Sequence, residues 1–260
     1  MHGPPPPDAL EQHALRVHAA VEFLSSQAVV SHVSAAVLHG LPIWKLPLDR
    51  VQVTRPGRCR GGRCGGLVHV RTNTLGTAEV VDLDGIAVTS VERTVLDIAR
   101  AFPFMQAVVV AYAAFAREAT DRVRAWGLLA AMRRWPGAPS ARRVLEFADG
   151  RSDGVGESRS RVLIAAAGLP APELQWPVPG APCTSDFAWL ARRTVAEFDG
   201  RVKYGRLLKP GQEPGEVVFE EKRREDVIRD RDLAVDRWTG GELDAFSPVA
   251  HRLRVRLRRG

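Results

Sequence analysis

The stretch that decides the fold of the second half of the chain is Asp186-Phe-Ala-Trp-Leu-Ala-Arg-Arg-Thr-Val-Ala-Glu-Phe-Asp-Gly-Arg-Val-Lys203. Aromatic and β-branched residues on either side of the paired arginines predict two short strands. A turn centred on Ala191-Arg192 would place Asp186 directly opposite Glu197. Because side chains alternate along a strand, Glu197 and Asp199 share one face, and Asp186 joins them there.

Three carboxylates on one face of a hairpin repel one another, since like charges directly opposite destabilise the pair. A hard divalent cation held by carboxylate oxygens would relieve this repulsion, and Lys203 could add an ammonium group. The competing interpretation is that these acids form the solvated face of an edge hairpin. The order of Asp, about ten residues, Glu, one residue and a further charged residue favours the metal site.

The region from residue 156 to residue 238 resembles the PD-(D/E)XK nuclease superfamily. More narrowly, it is similar to the very-short-patch-repair-endonuclease-like domains of many actinobacterial proteins. The resemblance rests on Glu157-Ser-Arg, residues 168–175, Asp186-Phe-Ala-Trp, Glu197-Phe-Asp-Gly-Arg-Val-Lys-Tyr, residues 221–225 and Val235-Asp-Arg-Trp238. It implies that residues 151–260 form a restriction-endonuclease-like domain with an αβββαβ core. The local patterns agree, because they predict a helix over 157–167, strands over 174–178 and 233–238, and a helix over 216–232.

The resemblance also implies a metal-dependent endonuclease that hydrolyses DNA with Mg²⁺ or Mn²⁺. Asp186 and Glu197 would bind the metal, and Glu157 on the first helix would complete the metal site. Asp199 stands where the motif has its lysine, so Lys203 would supply the amine from a shifted position. These five residues are the predicted catalytic set. A domain that has lost its activity because of Asp199 is the alternative.

The overall composition is that of a globular protein with a basic surface. The 260 residues carry a net charge of +7, which suits a polyanionic partner such as DNA. No apolar run approaches the length of about 18 residues that a membrane span needs. The first residues lack the basic-then-apolar order of a signal peptide. Three cysteines in a chain of this size predict a reducing, cytoplasmic environment.

Two basic clusters are candidates for binding phosphates. One is Lys222-Arg223-Arg224, beside the proposed metal site. The other is residues 251–259, where arginine alternates with apolar residues, so that an extended conformation would place four cations on one stripe, Arg252, Arg254, Arg256 and Arg258. The first three are the predicted nucleic-acid-binding residues. Neutralisation of DNA phosphates is the functional interpretation of both clusters, and a solvated protein surface is the alternative.

The first half of the chain is a different unit. A break rich in Gly, Ser and Asp at 149–156 marks the boundary, and the Pro-rich start predicts a disordered tail over 1–12. Residues 13–150 are expected to form a mixed α/β domain, mainly helical with a small sheet. The patterns predict helices over 10–24 and 31–38, strands over 51–54, 68–70 and 86–88, and three to four helices over 90–148 with caps at Ser90 and Ser140.

Residues 30–42, 51–56 and 86–97 resemble the antitoxin component of abortive-infection type IV toxin–antitoxin systems, the AbiEi-like family. The segment Ile86-Ala-Val-Thr-Ser-Val-Glu-Arg-Thr-Val-Leu-Asp97 carries much of this resemblance. It implies a second function for the whole chain, that of a non-catalytic antitoxin or transcriptional regulator with a cognate toxin as partner. In that alternative the nuclease fold would serve for binding only.

Overall fold

The computed structural model describes residues 8–57, 64–151, 154–179, 184–200 and 233–259. The chain divides into two compact units, Met1–Gly150 and Arg151–Gly260, and the division falls at the Gly/Ser/Asp-rich break. Each unit mixes helices with a sheet that contains both parallel and antiparallel strand pairs. The expected mixed α/β class is therefore confirmed.

The first unit places a six-stranded sheet beside a group of helices, so its sheet is larger than the sequence predicted. Its spatial strand order is β3-β4-β2-β1-β6-β5. Its strands are β1 Val29–Val30, β2 Val51–Arg55, β3 Cys64–Gly65, β4 Val68–Thr72, β5 Val80–Leu83 and β6 Ile86–Thr89. Its helices are α1 Ala9–Val21, α2 His32–Leu38, α3 Val91–Ala101, α4 Phe104–Ala116, α5 Arg122–Ala131 and α6 Ala138–Phe147.

Local capping explains where these helices begin. Asp8 and Glu11 form a reciprocal capping box that starts α1 at Ala9. The tail predicted over 1–12 was therefore too long, because residues 9–12 belong to the helix. Ser90 caps α3 as predicted, accepting a hydrogen bond from the backbone of Arg93. The cap predicted at Ser140 was wrong, since α6 begins at Ala138.

A fully buried arginine of α3, Arg93, connects this helix to residues between β4 and β5. Arg93 donates to Asp97 at 2.8 Å and to the carbonyl of Thr74 at 2.9 Å, and it forms an ion pair with Glu79. Its guanidinium also lies over the ring of Trp135. Buried charges are tolerated when they are paired in this way, which gives the Glu-Arg-Thr-Val-Leu-Asp97 segment a structural role.

The second unit contains a four-stranded sheet with the spatial order β10-β9-β8-β7. Its strands are β7 Glu173–Pro177, β8 Thr184–Trp189, β9 Thr194–Asp199 and β10 Ala234–Thr239. Its described helices are α7 Val155–Ala166, α8 Gly240–Asp244 and α9 Ser247–Arg259. The helix predicted over 216–232 lies outside the described residues.

The register of the β8–β9 hairpin is the predicted one. Its partners are Phe187 with Ala196, Ala188 with Val195, and Trp189 with Thr194. A single 3-10 turn, Leu190–Arg192, connects the two strands. Continued by one residue, this register places Asp186 opposite Glu197.

Residues 251–259 are helical and not extended, because they are part of α9, so the stripe of arginines that an extended conformation would form does not occur. Val249, Leu253 and Leu257 recur every four residues and are buried, which is the stripe of one helix face. The alternation of arginine and apolar residues fits a strand as well as a helix. The burial of Val249, Leu253 and Leu257 on one face favours the helix. Among the described residues, no helix is both long and apolar enough to cross a membrane.

Candidate functional site

One row of polar residues crosses all four strands of the second sheet. The pairs Leu174–Phe187 and Trp176–Ser185 flank Gln175 and Asp186 and align them. The hairpin register aligns Asp186 with Glu197, and the parallel pairing of β9 with β10 joins Glu197 to Arg237. The row therefore contains Gln175, Asp186, Glu197 and Arg237, hereafter the polar row.

Gln175 brings a fifth residue, Glu157 of α7, to the polar row. Its side-chain nitrogen Nε2 donates to Glu157 Oε2 at 2.9 Å and lies 3.4 Å from Asp186 Oδ1. Its oxygen Oε1 accepts a hydrogen bond from the hydroxyl of Thr184 at 3.3 Å. Two carboxylates from separate elements thus converge on one nitrogen atom.

The carboxylate of Asp186 is held between the two strands of the hairpin. Its Oδ2 accepts the backbone N–H of Phe198 at 2.8 Å. The neighbouring Ser185 donates its hydroxyl to the carbonyl of Ala196 at 3.2 Å. Side chains therefore connect β8 to β9 just beyond the last backbone pair, Phe187 with Ala196, and they fix the direction of the Asp186 carboxylate.

Glu197 forms an ion pair with Arg237 on the adjacent strand. The Nε atom of Arg237 lies 3.3 Å from Oε2 of Glu197. The Glu197 side chain is only 9% exposed, whereas that of Arg237 is 32% exposed. The Arg237 side chain therefore keeps part of its surface in solvent, although its Nε atom and one of its terminal nitrogen atoms are buried.

Close packing against the sheet fixes the helix that carries Glu157. Trp238 of β10 donates its indole N–H to the Ser160 hydroxyl at 2.7 Å, and that hydroxyl donates to the carbonyl of Gly156 at 2.8 Å. Phe187 stacks on Trp238 with ring centroids 5.4 Å apart. These contacts place the first turn of α7 at the polar row.

The structure brings together only part of the predicted catalytic set. Glu157 and Asp186 meet at Gln175, and Glu197 lies in the same row but is paired with Arg237. Asp199 lies at the end of β9, opposite Thr239, and Lys203 is outside the described residues. Within the part of the chain that is described, no group of three or more His, Cys, Asp or Glu side chains is arranged to hold a metal ion.

The predicted nucleic-acid-binding arginines of α9 contact the protein itself. Asp236, which is 4% exposed, accepts from Arg252 at 3.4 Å and from Arg256 at 3.1 Å. Arg252 also donates to Glu242 and to the carbonyl of Arg237, and Arg254 donates to the carbonyl of Ala167. Lys222, Arg223 and Arg224 fall outside the described residues.

Sequence reasoning missed two residues of the site, Gln175 and Arg237. Gln175 is the last residue of the segment 168–175, and Arg237 lies within the Val235–Trp238 block. Both segments were noted for their resemblance, but no role was predicted for either side chain. Their partners become visible only when the register of β7 and of β10 is known.

No protein-family model matches this chain. The chain is similar to a protein of Mycobacterium tuberculosis strain H37Rv and to its counterpart in strain CDC 1551, both described as uncharacterized. In each case 27% of 219 aligned residues are identical, covering 78% of this chain and 79% of the relative. These similarities extend over most of both chains, and the description of neither relative names an activity.

Proposed function

We propose that residues 151–260 form a PD-(D/E)XK-type domain that hydrolyses DNA phosphodiester bonds with Mg²⁺ or Mn²⁺. The observation that carries this proposal is the convergence of Glu157 and Asp186 on Gln175 Nε2, in the row that also contains Glu197. The order of α7, the three strands β7–β9 and β10 is consistent with the αβββαβ core that the resemblance implies.

The donor atoms at this point fit a hard divalent cation. Carboxylate oxygens of Glu157 and Asp186 both face the side-chain N–H group of Gln175. The positive end of this N–H dipole occupies the position where a cation would bind. Mg²⁺ typically uses one or two carboxylates and completes its shell with water and substrate phosphate. Glu157 and Asp186 would hold the ion, which when bound would polarise the phosphoryl oxygen and lower the pKa of a bound water.

The reaction places extra negative charge on the phosphate, and Arg237 can compensate for it. A water oxygen forms a new bond to phosphorus, the bond to the leaving oxygen breaks, and that oxygen takes up a proton as the attacking water loses one. Asp199 stands in place of the lysine of the motif, so the motif's usual cation is missing. Arg237 supplies a permanent cation in the polar row instead. Its other terminal nitrogen can contact a phosphate while Nε remains beside Glu197.

The alternative function is a non-catalytic regulator that binds DNA and has a cognate toxin as partner. The observation that favours it is the Glu197–Arg237 ion pair, because a carboxylate engaged by a guanidinium is less suited to hold a metal. Asp199 in place of the lysine supports the same interpretation. The AbiEi-like resemblance of the first unit agrees with a regulator.

Nicking of supercoiled plasmid in the presence of Mg²⁺ or Mn²⁺ tests the proposal. The wild type should nick the plasmid, chelation should stop the reaction, and Asp186→Asn and Glu197→Gln should each abolish it. Glu173→Gln is the matched control, because Glu173 is an exposed carboxylate on β7, two residues before Gln175. Binding of plasmid, single-stranded and mismatched DNA without any cleavage would instead support the regulator.

A further inference from the structure

Gln175 adopts a backbone conformation that is unusual for the middle of a strand. Its φ angle is +50°, in the left-handed region that disfavours most residues other than Gly, Asn and Asp. The pairs Leu174–Phe187 and Trp176–Ser185 on either side keep one register, so no extra residue is inserted. Conformations of this kind persist only where surrounding contacts enforce them, and they are concentrated at functional sites.

The contacts of the side chain show what this conformation achieves. The amide group lies where Glu157 and Asp186 converge, and Nε2 serves both carboxylates. The Thr184 hydroxyl lies at the opposite end of the amide, 3.3 Å from Oε1. A hydroxyl can donate or accept a hydrogen bond, so Thr184 can accommodate either orientation of the amide.

We propose that Gln175 is a ligand of the divalent cation and contributes its amide oxygen beside Glu157 and Asp186. A half-turn of the amide exchanges Nε2 with Oε1, which presents a third hard oxygen to the cation. Without the cation, the N–H group keeps the two carboxylates together. This inference rests on the proposed nuclease function, because it assigns a ligand to the same site.

Isothermal titration calorimetry of the full chain with Mn²⁺ alone tests this assignment without requiring activity. Gln175→Gly removes the ligand while favouring the observed φ, so the variant should fold and should bind Mn²⁺ at least about tenfold more weakly. Gln175→Glu adds a carboxylate at the same position and should bind Mn²⁺ more tightly than the wild type. Glu173→Gln, on the same strand, should bind like the wild type.

The calorimetric results distinguish an error in the role of Gln175 from an error in the proposed cation site. If both Gln175 variants fold, as judged by thermal unfolding, and bind Mn²⁺ with wild-type affinity that still depends on Asp186, Gln175 is not a ligand and the proposed nuclease site stands. If Gln175→Glu binds more weakly than the wild type, the amide has only a structural role. If the wild type itself binds no Mn²⁺, the cation site and this assignment are both overturned.

Discussion

Gly156 lies so close to the ring of Phe198 that a Cβ atom at residue 156 would come within 1.9 Å of the ring carbon Cε1. No real Cβ contact is that short, so α7 approaches β9 as closely as it does only because residue 156 has no side chain. This approach positions Glu157, the next residue, at the polar row.

The variant Gly156→Ala should therefore displace α7 or the Phe198 ring. Overpacking of this kind costs about 1–3 kcal/mol of the free energy of unfolding, which denaturant unfolding can measure. Gly241→Ala is the control, because Gly241 lies in α8 and a Cβ atom at residue 241 would meet only the Thr239 hydroxyl oxygen, at 4.0 Å. Equal stabilities for the two variants would contradict the close approach of α7.

Substitutions of Asp186 should separate its structural role from its chemical role. In Asp186→Asn, the side-chain oxygen can still accept the Phe198 N–H, so we expect stability to remain close to that of the wild type. Asp186→Ala loses this charge-assisted hydrogen bond, at a cost of about 1.5–3 kcal/mol. Both variants should lose metal-dependent nicking. Wild-type nicking by Asp186→Asn would exclude this carboxylate from the reaction.

Removal of the Arg237 cation should destabilise the second unit through Glu197. Arg237→Gln takes this cation away from a largely buried carboxylate and should cost about 1–3 kcal/mol in denaturant unfolding. Adding Glu197→Gln should recover part of the loss, because the buried charge is then absent. Arg192→Gln, in the exposed hairpin turn, should change stability little. A double variant that is no more stable than Arg237→Gln would argue against the ion pair.

The arginines of α9 should differ in what they contribute. Arg256→Gln removes a partner of the buried Asp236 and should mainly lower the stability of the protein. Arg254 is exposed, and Arg254→Gln should leave stability nearly unchanged. If Arg254 contacts DNA phosphate, its loss should reduce the slope of log affinity against log salt concentration by about 1. An unchanged slope would remove Arg254 from the DNA-binding surface.

Acid should destabilise the first unit through its buried histidines. Burial lowers the pKa of His32 well below its usual 6.5, and Arg71, Arg93, Arg100 and His69 lower it further. Burial also lowers the pKa of His13. Below about pH 6.5 the unfolded chain therefore takes up protons that the folded chain does not. Above that pH the free energy of unfolding keeps its full value. At lower pH it should decrease by up to about 1.4 kcal/mol per pH unit for each of these histidines.

Thermal unfolding of the full chain between pH 7.5 and 5.5 measures this loss. His32→Asn removes the titrating group and keeps a residue type that tolerates its φ of +53°. This variant should lose less stability on acidification than the wild type. His18→Asn changes an exposed histidine of α1 and should follow the wild type. Identical pH profiles for all three proteins would mean that His32 does not titrate differently on unfolding.

The sequence by itself determined the hairpin at the centre of the site. The turn and both strands are adjacent in the chain, so alternation and turn position were enough to align Asp186 with Glu197. The mixed α/β class and the strands β7–β10 were also predictable, because their apolar patterns and punctuating glycines are local signals.

The tertiary structure alone decided which side chains meet at the polar row. Two features depend on the pairing of separate strands. They are the left-handed backbone conformation of Gln175 and the ion pair of Arg237 with Glu197. Helix α9 was not predicted, because alternating arginine and apolar residues satisfy both the helical and the extended period. Burial of Leu253 and Leu257 favours the helical period, and burial is a property of the folded protein that a local pattern does not contain.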